Sequence, residues 1–291
     1  MRYERIAVPD YLALGNPTLD VQQDGSLVLG GSAVYSALQA SRLGLRSAIV
    51  GRANPADLQP YWLAYADEVD LRLQPSRATT TFCNVSAGDT REQWLRGWSG
   101  NINYDDPLPD SDILHVAPVA QEAAIEEVAV ECMSRLVCLT PQGLVRRWDG
   151  SDGRIEHIPR EFSSAVSSLV DVVVVSEIEV PYVGHLLGDV ARHGGISVVT
   201  RGRRGCEVLT RSGLTEFTAE PVGSLVDATG AGDCFAAALT VEVFLGTSVT
   251  EAIKFASIAA ALCVRGHGAS AIGMRQEIVR ESASWPTQSI S

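Results

Sequence analysis

Residues 171–176, Asp-Val-Val-Val-Val-Ser, constrain the fold more than any other stretch. Four consecutive valines leave no polar face. Such a run reads as a strand covered on both sides, which a chain achieves in a parallel sheet with helices on each face. The surrounding rhythm agrees. From about residue 110, apolar strands alternate with helical segments. A strand at 112–117 precedes a helix over 121–135, whose glutamates near the start favour its dipole. Strands at 136–140, 171–176 and 196–200 follow, the last set off by Gly194-Gly195. Earlier in the chain, the segments beginning at Tyr11 and Ser47 read as two more buried strands. Repeated β–α units predict a mostly parallel sheet between helix layers, with functional residues at the carboxyl ends of the strands.

The N-terminal third carries a second pattern. After the strand at Tyr11 come a turn and the polar Asp20. Asp24-Gly25 between short alternating segments signals a hairpin. Gly30-Gly31 then opens a helix that ends near Gly44, and residues 52–57 read as a loop. Segments 69–73, 79–85 and 92–98 alternate with period two, with a turn at 87–89. Together with the hairpin they predict a discontinuous β lid, from roughly 17–30 and 68–104, within a single domain spanning 1–291. Trp94 and Trp98 are expected to pack that lid against the body. Residues 1–10 read as an extension or edge strand, and the Ser-rich last dozen as a frayed tail.

Composition narrows the function. With 46% hydrophobic and 20% charged residues the chain is of the globular class. A formal net charge of −12 argues against a nucleic-acid or anionic-membrane surface, and no stretch is long and apolar enough to span a bilayer. Met1-Arg2-Tyr3-Glu4-Arg5 lacks the apolar core of a secretory signal. Six cysteines, at 83, 132, 138, 206, 234 and 263, include no Cys-x-x-Cys pair, which argues against zinc. Buried free thiols and a reducing cytoplasm are expected.

The chemistry concentrates at 226–239, Val-Asp-Ala-Thr-Gly-Ala-Gly-Asp-Cys-Phe-Ala-Ala-Ala-Leu. Asp227 and Thr229 supply side-chain oxygens that close turns, and the glycines feed a small-residue helix whose first amides attract an anion. Asp233 stands at the helix start. A carboxylate there repels phosphate, so its useful role is to take the proton of a hydroxyl that attacks one. A plain loop with a capping Asp is the structural alternative. No Lys-Ser/Thr pair follows the glycines, as a Walker loop requires, and the third glycine of a dinucleotide fingerprint is absent, which disfavours a dehydrogenase. Gln142 and Arg146 follow a strand end on one face and are substrate candidates.

The 226–239 string closely resembles the C-terminal signature of the ribokinase-like (PfkB-type) carbohydrate kinases, and the likeness extends over about residues 11–275. It implies a three-layer α/β/α sandwich with a mostly parallel central sheet and a small β-sheet lid. It implies Asp233 as catalytic base and the amides of Gly230, Ala231 and Gly232 as an anion hole. Asp20 matches the acid that holds substrate hydroxyls, with Thr18 beside it. Gly31 and Ser32 fall in the N-terminal glycine signature, where Ser32 replaces the Lys of ribokinase and Tyr35 a frequent Asn. These departures point away from ribose.

Ser176 and Glu179 match the family's Asn-x-x-Glu motif, with Ser for Asn, and Glu179 is implied in Mg²⁺ binding. A helix-capping Ser with first-turn acids describes the same residues. Thr200, Gly202 and Gly205 match a nucleotide-lining turn, where Arg203 and Arg204 read as solvated. Asp227, Thr229 and Ser257 complete the expected nucleotide contacts. His267 takes no catalytic role. The implied reaction is ATP- and Mg²⁺-dependent phosphorylation of a sugar or polyol hydroxyl, inositol included, with a monovalent cation as a further expected cofactor. The alternatives are a nucleoside kinase of the same family and a catalytically silent binding or regulatory homologue. Lid edges offer a surface for a homodimer.

Overall fold

A computed structural model describes residues 8–87, 90–105, 107–131, 133–150, 152–219 and 223–283. The expected turn at 87–89 falls largely outside these residues, as do most of the N-terminal extension and the end of the C-terminal tail. The N-terminal part runs β1 (Tyr11–Leu14), β2 (Thr18–Val21), β3 (Leu27–Gly30), α1 (Ser32–Arg42), β4 (Ser47–Ala53), α2 (Pro55–Trp62), β5 (Val69–Pro75), β6 (Thr80–Ala87) and β7 (Thr90–Gly97). The alternating part follows: β8 (Ile113–Val116), α3 (Ile125–Glu131), β9 (Leu136–Leu139), β10 (Arg146–Trp148), β11 (Ile155–His157), α4 (Ser164–Leu169), β12 (Val172–Ser176), α5 (Leu186–His193) and β13 (Ile196–Thr200). The hairpin β14 (Cys206–Thr210) and β15 (Gly213–Phe217) leads to α6 (Ala231–Phe244), α7 (Val249–Cys263) and α8 (Arg275–Ala283).

A nine-stranded sheet has the order β15-β14-β13-β12-β9-β8-β1-β4-β5. It is parallel from β13 to β5, with the β14–β15 hairpin antiparallel at one edge. Alternate residues of each strand enter opposite cores. Val172 and Val174 pack with α1, α6 and α7, whereas Val173 and Val175 pack with α4 and α5. The valine run is therefore buried on both faces, and helices cover the sheet from both sides. Helix α6 has almost no polar side, because Cys234–Leu239 is buried all round between α1, α7 and the sheet. Among the described residues no helix is long and apolar enough to cross a membrane.

A separate four-stranded sheet, β3-β2-β6-β7, stands beside the main body. Its composition corrects the sequence expectation. Val69–Leu73 is not in it, because β5 pairs along its whole length with β4 at the edge of the large sheet. Leu71 and Leu73 pack on the core while Asp70 is exposed. An edge strand covered on one side shows the same period of two as a lid strand, so alternation alone does not separate them.

Residues 52–57 are not a loop either. Arg52 and Ala53 extend β4, and Asn54 caps α2 by accepting from the Ala56 amide at 3.0 Å, with Pro55 at the first helical position. The helix expected over 121–135 is confined to Ile125–Glu131. Glu122 lies outside it and is buried, its carboxylate accepting from the amides of Asn16 (2.9 Å), Val119 (2.9 Å) and Ala120 (2.6 Å). Burial raises the Glu122 carboxyl above its ordinary value, and these amides pull it back. The side chain thereby joins the turn after β1 to the turn after β8. Removing it leaves several buried donors unpaired. Glu122→Ala is expected to cost about 2–4 kcal/mol of unfolding free energy, read as a lower urea midpoint at unchanged m-value.

Candidate active site

Helix α6 begins at Gly230, which caps it at φ 79°. A Cβ at Gly230 would lie 2.1 Å from the Tyr35 ring, so α1 packs directly against the loop that opens the helix. The Asp227 carboxylate closes that loop, accepting from the Thr229 amide at 2.9 Å and from Gly268 at 3.5 Å. At Gly232 the situation is reversed. Nothing lies within 4 Å of where its Cβ would sit. The first amides of a helix lack acceptors within it; that of Ala231 reaches back to the Ala228 carbonyl at 3.4 Å, and the free space beside Gly232 gives an anion room to approach the helix start.

Two cavities meet at this helix start, sharing Ser176, Thr200, Ala228 and Gly232 as walls. The first, of ≈ 210 Å³, is polar. Its floor includes Ser32, Gln142 and Asp233, and its lid side includes Thr18, Asp20 and Arg146. Gly31, Tyr35, Glu179, Thr229 and Gly230 also line it. The Thr18 hydroxyl donates to Asp20 Oδ1 at 3.2 Å, and the bare Gly30 opposite leaves room for both side chains. The second cavity, of ≈ 430 Å³, is mostly apolar, with Leu225, Phe235, Ala260, Ala261 and Val264 in its walls. Gly202, Gly205, Ala231 and Ser257 border it. The Ser257 hydroxyl is bound to the Ile253 carbonyl at 2.9 Å within its own helix.

Around Asp233 the polar groups form one network. Gln142 Nε2 donates to Ser32 Oγ and to Asp233 Oδ1, the latter at 3.3 Å. Arg146 donates to Gln142 Oε1 at 3.4 Å and to the Val119 carbonyl at 2.9 Å, and its guanidinium lies 5.5 Å from the centre of the Phe82 ring. Burial lifts the Asp233 carboxyl from 3.8 to about 7. The Ser32 hydrogen bond and the Arg146 charge oppose that shift, and the Glu179 charge adds to it.

Glu179 is not in a helix. Ser176–Glu179 is a turn closed by the Ser176 amide on Glu179 Oε2 at 2.7 Å; a single 3-10 turn over Val180–Tyr182 follows, and the next α-helix begins at Leu186. Among the described residues no group of three His, Cys, Asp or Glu side chains is placed to hold a metal. A Mg²⁺ ion carried by phosphate oxygens needs one or two carboxylates and waters, and Glu179 on the cavity wall fits that donor set. Arg201 pairs with Glu207 at 2.6 Å and Arg204 with Glu177, so these arginines are engaged at the surface turn.

All the site residues expected from the sequence line one cavity or the other, except Asp227, which shapes the loop. The sequence reading missed Phe82, Asn84 and Gln93, which reach the polar cavity from β6 and β7. Gln93 Nε2 donates to Asn84 Oδ1 at 2.7 Å across the strand pair. The period of two carries the signal, since Phe82 and Asn84 share a face of β6. Trp98 instead meets Trp148 edge-on at 5.6 Å and donates to the Ala120 carbonyl at 3.1 Å, which ties the lid to the body. His267 is exposed and lines neither cavity.

Known proteins share this architecture. An inositol 3-kinase of Zea mays is 32% identical over 154 residues, covering 51% of this chain and 39% of that protein. The matched stretch is thus well under half of that relative's length. A pyrophosphate-dependent kinase of the ribokinase family, solved with a pyrophosphate analogue and myo-inositol, superposes with a TM-score of 0.75 at 21% identity. That match covers 93% of this chain and 99% of that one. The ribokinase of Arabidopsis thaliana, solved with ribose and ATP, gives 0.67 at 18% identity, over 94% of this chain and 98% of that one. These superpositions establish the α/β/α fold with its small sheet. A family model, pfkB family carbohydrate kinase, matches residues 3–276. The chain belongs to the pfkB family of carbohydrate kinases.

Proposed function

We propose that this protein is an ATP-dependent kinase that phosphorylates a hydroxyl of a polyol, with inositol the first acceptor to test. The observation that carries the reading is the start of α6, which bears a carboxyl raised to about 7 and separates a polar cavity from an apolar one. The polar cavity offers acids, amides and a guanidinium to a molecule covered in hydroxyls. The apolar cavity offers Phe235, Leu225 and small side chains to a nucleobase, which favours ATP over pyrophosphate as donor. The likeness to inositol kinases supports the acceptor class.

In this reading the γ-phosphate of ATP rests on the first amides of α6, in the space that a Cβ on Gly232 would fill. An acceptor hydroxyl held by Asp20, Gln142 and Arg146 faces it. The hydroxyl oxygen forms a bond to the γ-phosphorus, the bond from phosphorus to the ADP oxygen breaks, and the hydroxyl proton passes to the Asp233 carboxylate. Mg²⁺ supplies charge neutralisation on the phosphates when bound, with Glu179 on its side of the site. The amides of α6 are fixed before the reaction, so they stabilise the transferring group without reorganising.

ADP release from Mg-ATP is measured across inositols, sugars and nucleosides. Turnover is expected with a polyol and is expected to fall about 10²–10⁴-fold in Asp233→Asn. Turnover with nucleosides alone would replace the acceptor class, and ATP binding without turnover on any acceptor would favour a silent homologue. Pyrophosphate outperforming ATP would overturn the donor assignment.

The acid limb of kcat/KM is expected near pH 7, because only ionised Asp233 accepts a proton. Glu179→Gln should move it to lower pH by removing a charge that raises Asp233. The same shift has a stability signature. Asp233 is held protonated in the fold at pH values where the unfolded chain has already lost the proton, so the native state loses stability as pH rises from about 4 to about 7. Asp233→Asn should therefore raise the Tm most at pH 8 and not at all near pH 4.

The two glycines are expected to separate fold from function. Gly232→Ala should keep the wild-type Tm and raise the ATP KM, since its methyl group enters the phosphate space. Gly230→Ala should cost about 2 kcal/mol or more, because it strains a left-handed residue and meets the Tyr35 ring.

A further inference from the structure

A histidine lies in the apolar layer beneath the site. His115 on β8 is fully buried, with Ile113 and Ala117 on the same strand face. Its ring bridges two neighbours. Nδ1 is 2.6 Å from the Tyr11 hydroxyl on β1, and Nε2 is 3.2 Å from Thr140 Oγ1 at the end of β9. Tyr11 and Thr140 are buried too, and Thr140 lines the polar cavity together with Gln142 and Asp233. Ser36 on α1 lies beside the Tyr11 hydroxyl, and its own hydroxyl donates to the Asp233 carbonyl at 3.4 Å. A polar chain therefore runs across three adjacent strands and surfaces at the acceptor cavity. The proton transfer described above uses none of it.

Burial lowers the His115 pKa from 6.5 to about 3, so the ring is neutral at working pH. A neutral imidazole has one donor and one acceptor nitrogen, and the bond made at one nitrogen fixes the other. The two distances suit one order of the protons. A contact of 2.6 Å fits an O–H donor, and 3.2 Å fits an N–H donor. In that order the phenol donates to Nδ1, the proton sits on Nε2, and Nε2–H donates to Thr140 Oγ1. The Thr140 amide donates to the Val116 carbonyl at 3.0 Å, and its hydroxyl meets only the His115 ring among the described residues. Its own proton is then free to point into the cavity.

We propose that Tyr11 and His115 are positioning residues that hold the Thr140 hydroxyl as a hydrogen-bond donor to an oxygen of the polyol acceptor. The inference rests on the polyol-kinase reading for the identity of what Thr140 touches. It adds a polarity to that reading. Asp20 and ionised Asp233 only accept hydrogen bonds, and the donors Gln142 Nε2 and Arg146 already serve protein acceptors, whereas Thr140, with its proton directed outward, gives one that no group among the described residues claims. The cavity then distinguishes one acceptor oxygen from its neighbours by the sense of its hydrogen bond, and the discrimination is set by buried residues that never meet the substrate.

The test has two arms. The first is the His115 tautomer, read from ¹⁵N correlation spectra of the imidazoles, with Tyr11→Phe to assign the ring and perturb it. An Nε2-protonated ring in the wild type is expected, with conversion towards the Nδ1-protonated form in Tyr11→Phe. An Nδ1-protonated wild-type ring overturns the proposal, whatever the substrate. The second arm is steady-state kinetics with myo-inositol and ATP. Thr140→Val is expected to raise the acceptor KM about fivefold to tenfold, the worth of one hydrogen bond. It should leave the ATP KM unchanged and kcat within about a factor of two. Thr140→Ser should restore the wild-type value.

Tyr11→Phe should reproduce the KM effect, and the double variant Tyr11→Phe/Thr140→Val should be no worse than Thr140→Val alone. Equal KM values for Thr140→Ser and Thr140→Val, or multiplicative effects of Tyr11→Phe and Thr140→Val, would overturn the proposal. A wild-type protein that turns over no polyol would defeat the functional reading instead, and the tautomer would then decide the proton order by itself.

Discussion

The contact between Tyr35 and the bare backbone of Gly230 is the constraint on which the site depends. It sets how closely α1 approaches the loop before α6, and so where the first amides of α6 point. The buried run from Cys234 to Val241 packs the helix on every side and leaves it no freedom to retreat. Asp233 is carried into a partly desolvated position as a consequence. Its raised pKa is thus a packing effect, since burial is the largest contribution and the neighbouring groups only adjust it.

The same economy governs the polar residues that the core admits. Glu122 and His115 are both fully buried ionisable groups, and each is satisfied differently. Glu122 is surrounded by backbone amides and serves as a pin between two turns. His115 is neutral and is wedged between two hydroxyls. Neither position tolerates an apolar substitute without leaving donors or acceptors unpaired. Both sit near the carboxyl ends of the parallel strands, where a sheet of this type gathers its ligands.

Much of this was legible in the residues. The valine run announced a doubly covered strand, and the Asp-Ala-Thr-Gly-Ala-Gly-Asp string announced a turn feeding a helix start, because both are local patterns whose physics needs no distant partner. The errors arose where a local pattern serves two tertiary roles. Alternation at 69–73 suits a lid strand and a sheet edge equally, and only the pairing with β4 decides. Asn54-Pro55 carried a helix-start signal that reading the segment as a loop overlooked. Glu122 looked like a first-turn acid, because sequence does not show that the helix begins three residues later. The Tyr11–His115–Thr140 chain was invisible, as its members are over a hundred residues apart at one step and meet only through strand order.

The shared wall between the two cavities has a consequence for altering this enzyme. Ser176, Thr200, Ala228 and Gly232 face both compartments, so a change at any of them alters the shape of both. Phe82, Asn84 and Gln93 face only the polar compartment and belong to a sheet that is paired separately from the body. Retargeting the protein to a new acceptor therefore has a modular part and a fixed part. The lid face can be redrawn as a recognition surface, while the four wall residues are held in place by a double duty that any replacement would have to meet at once.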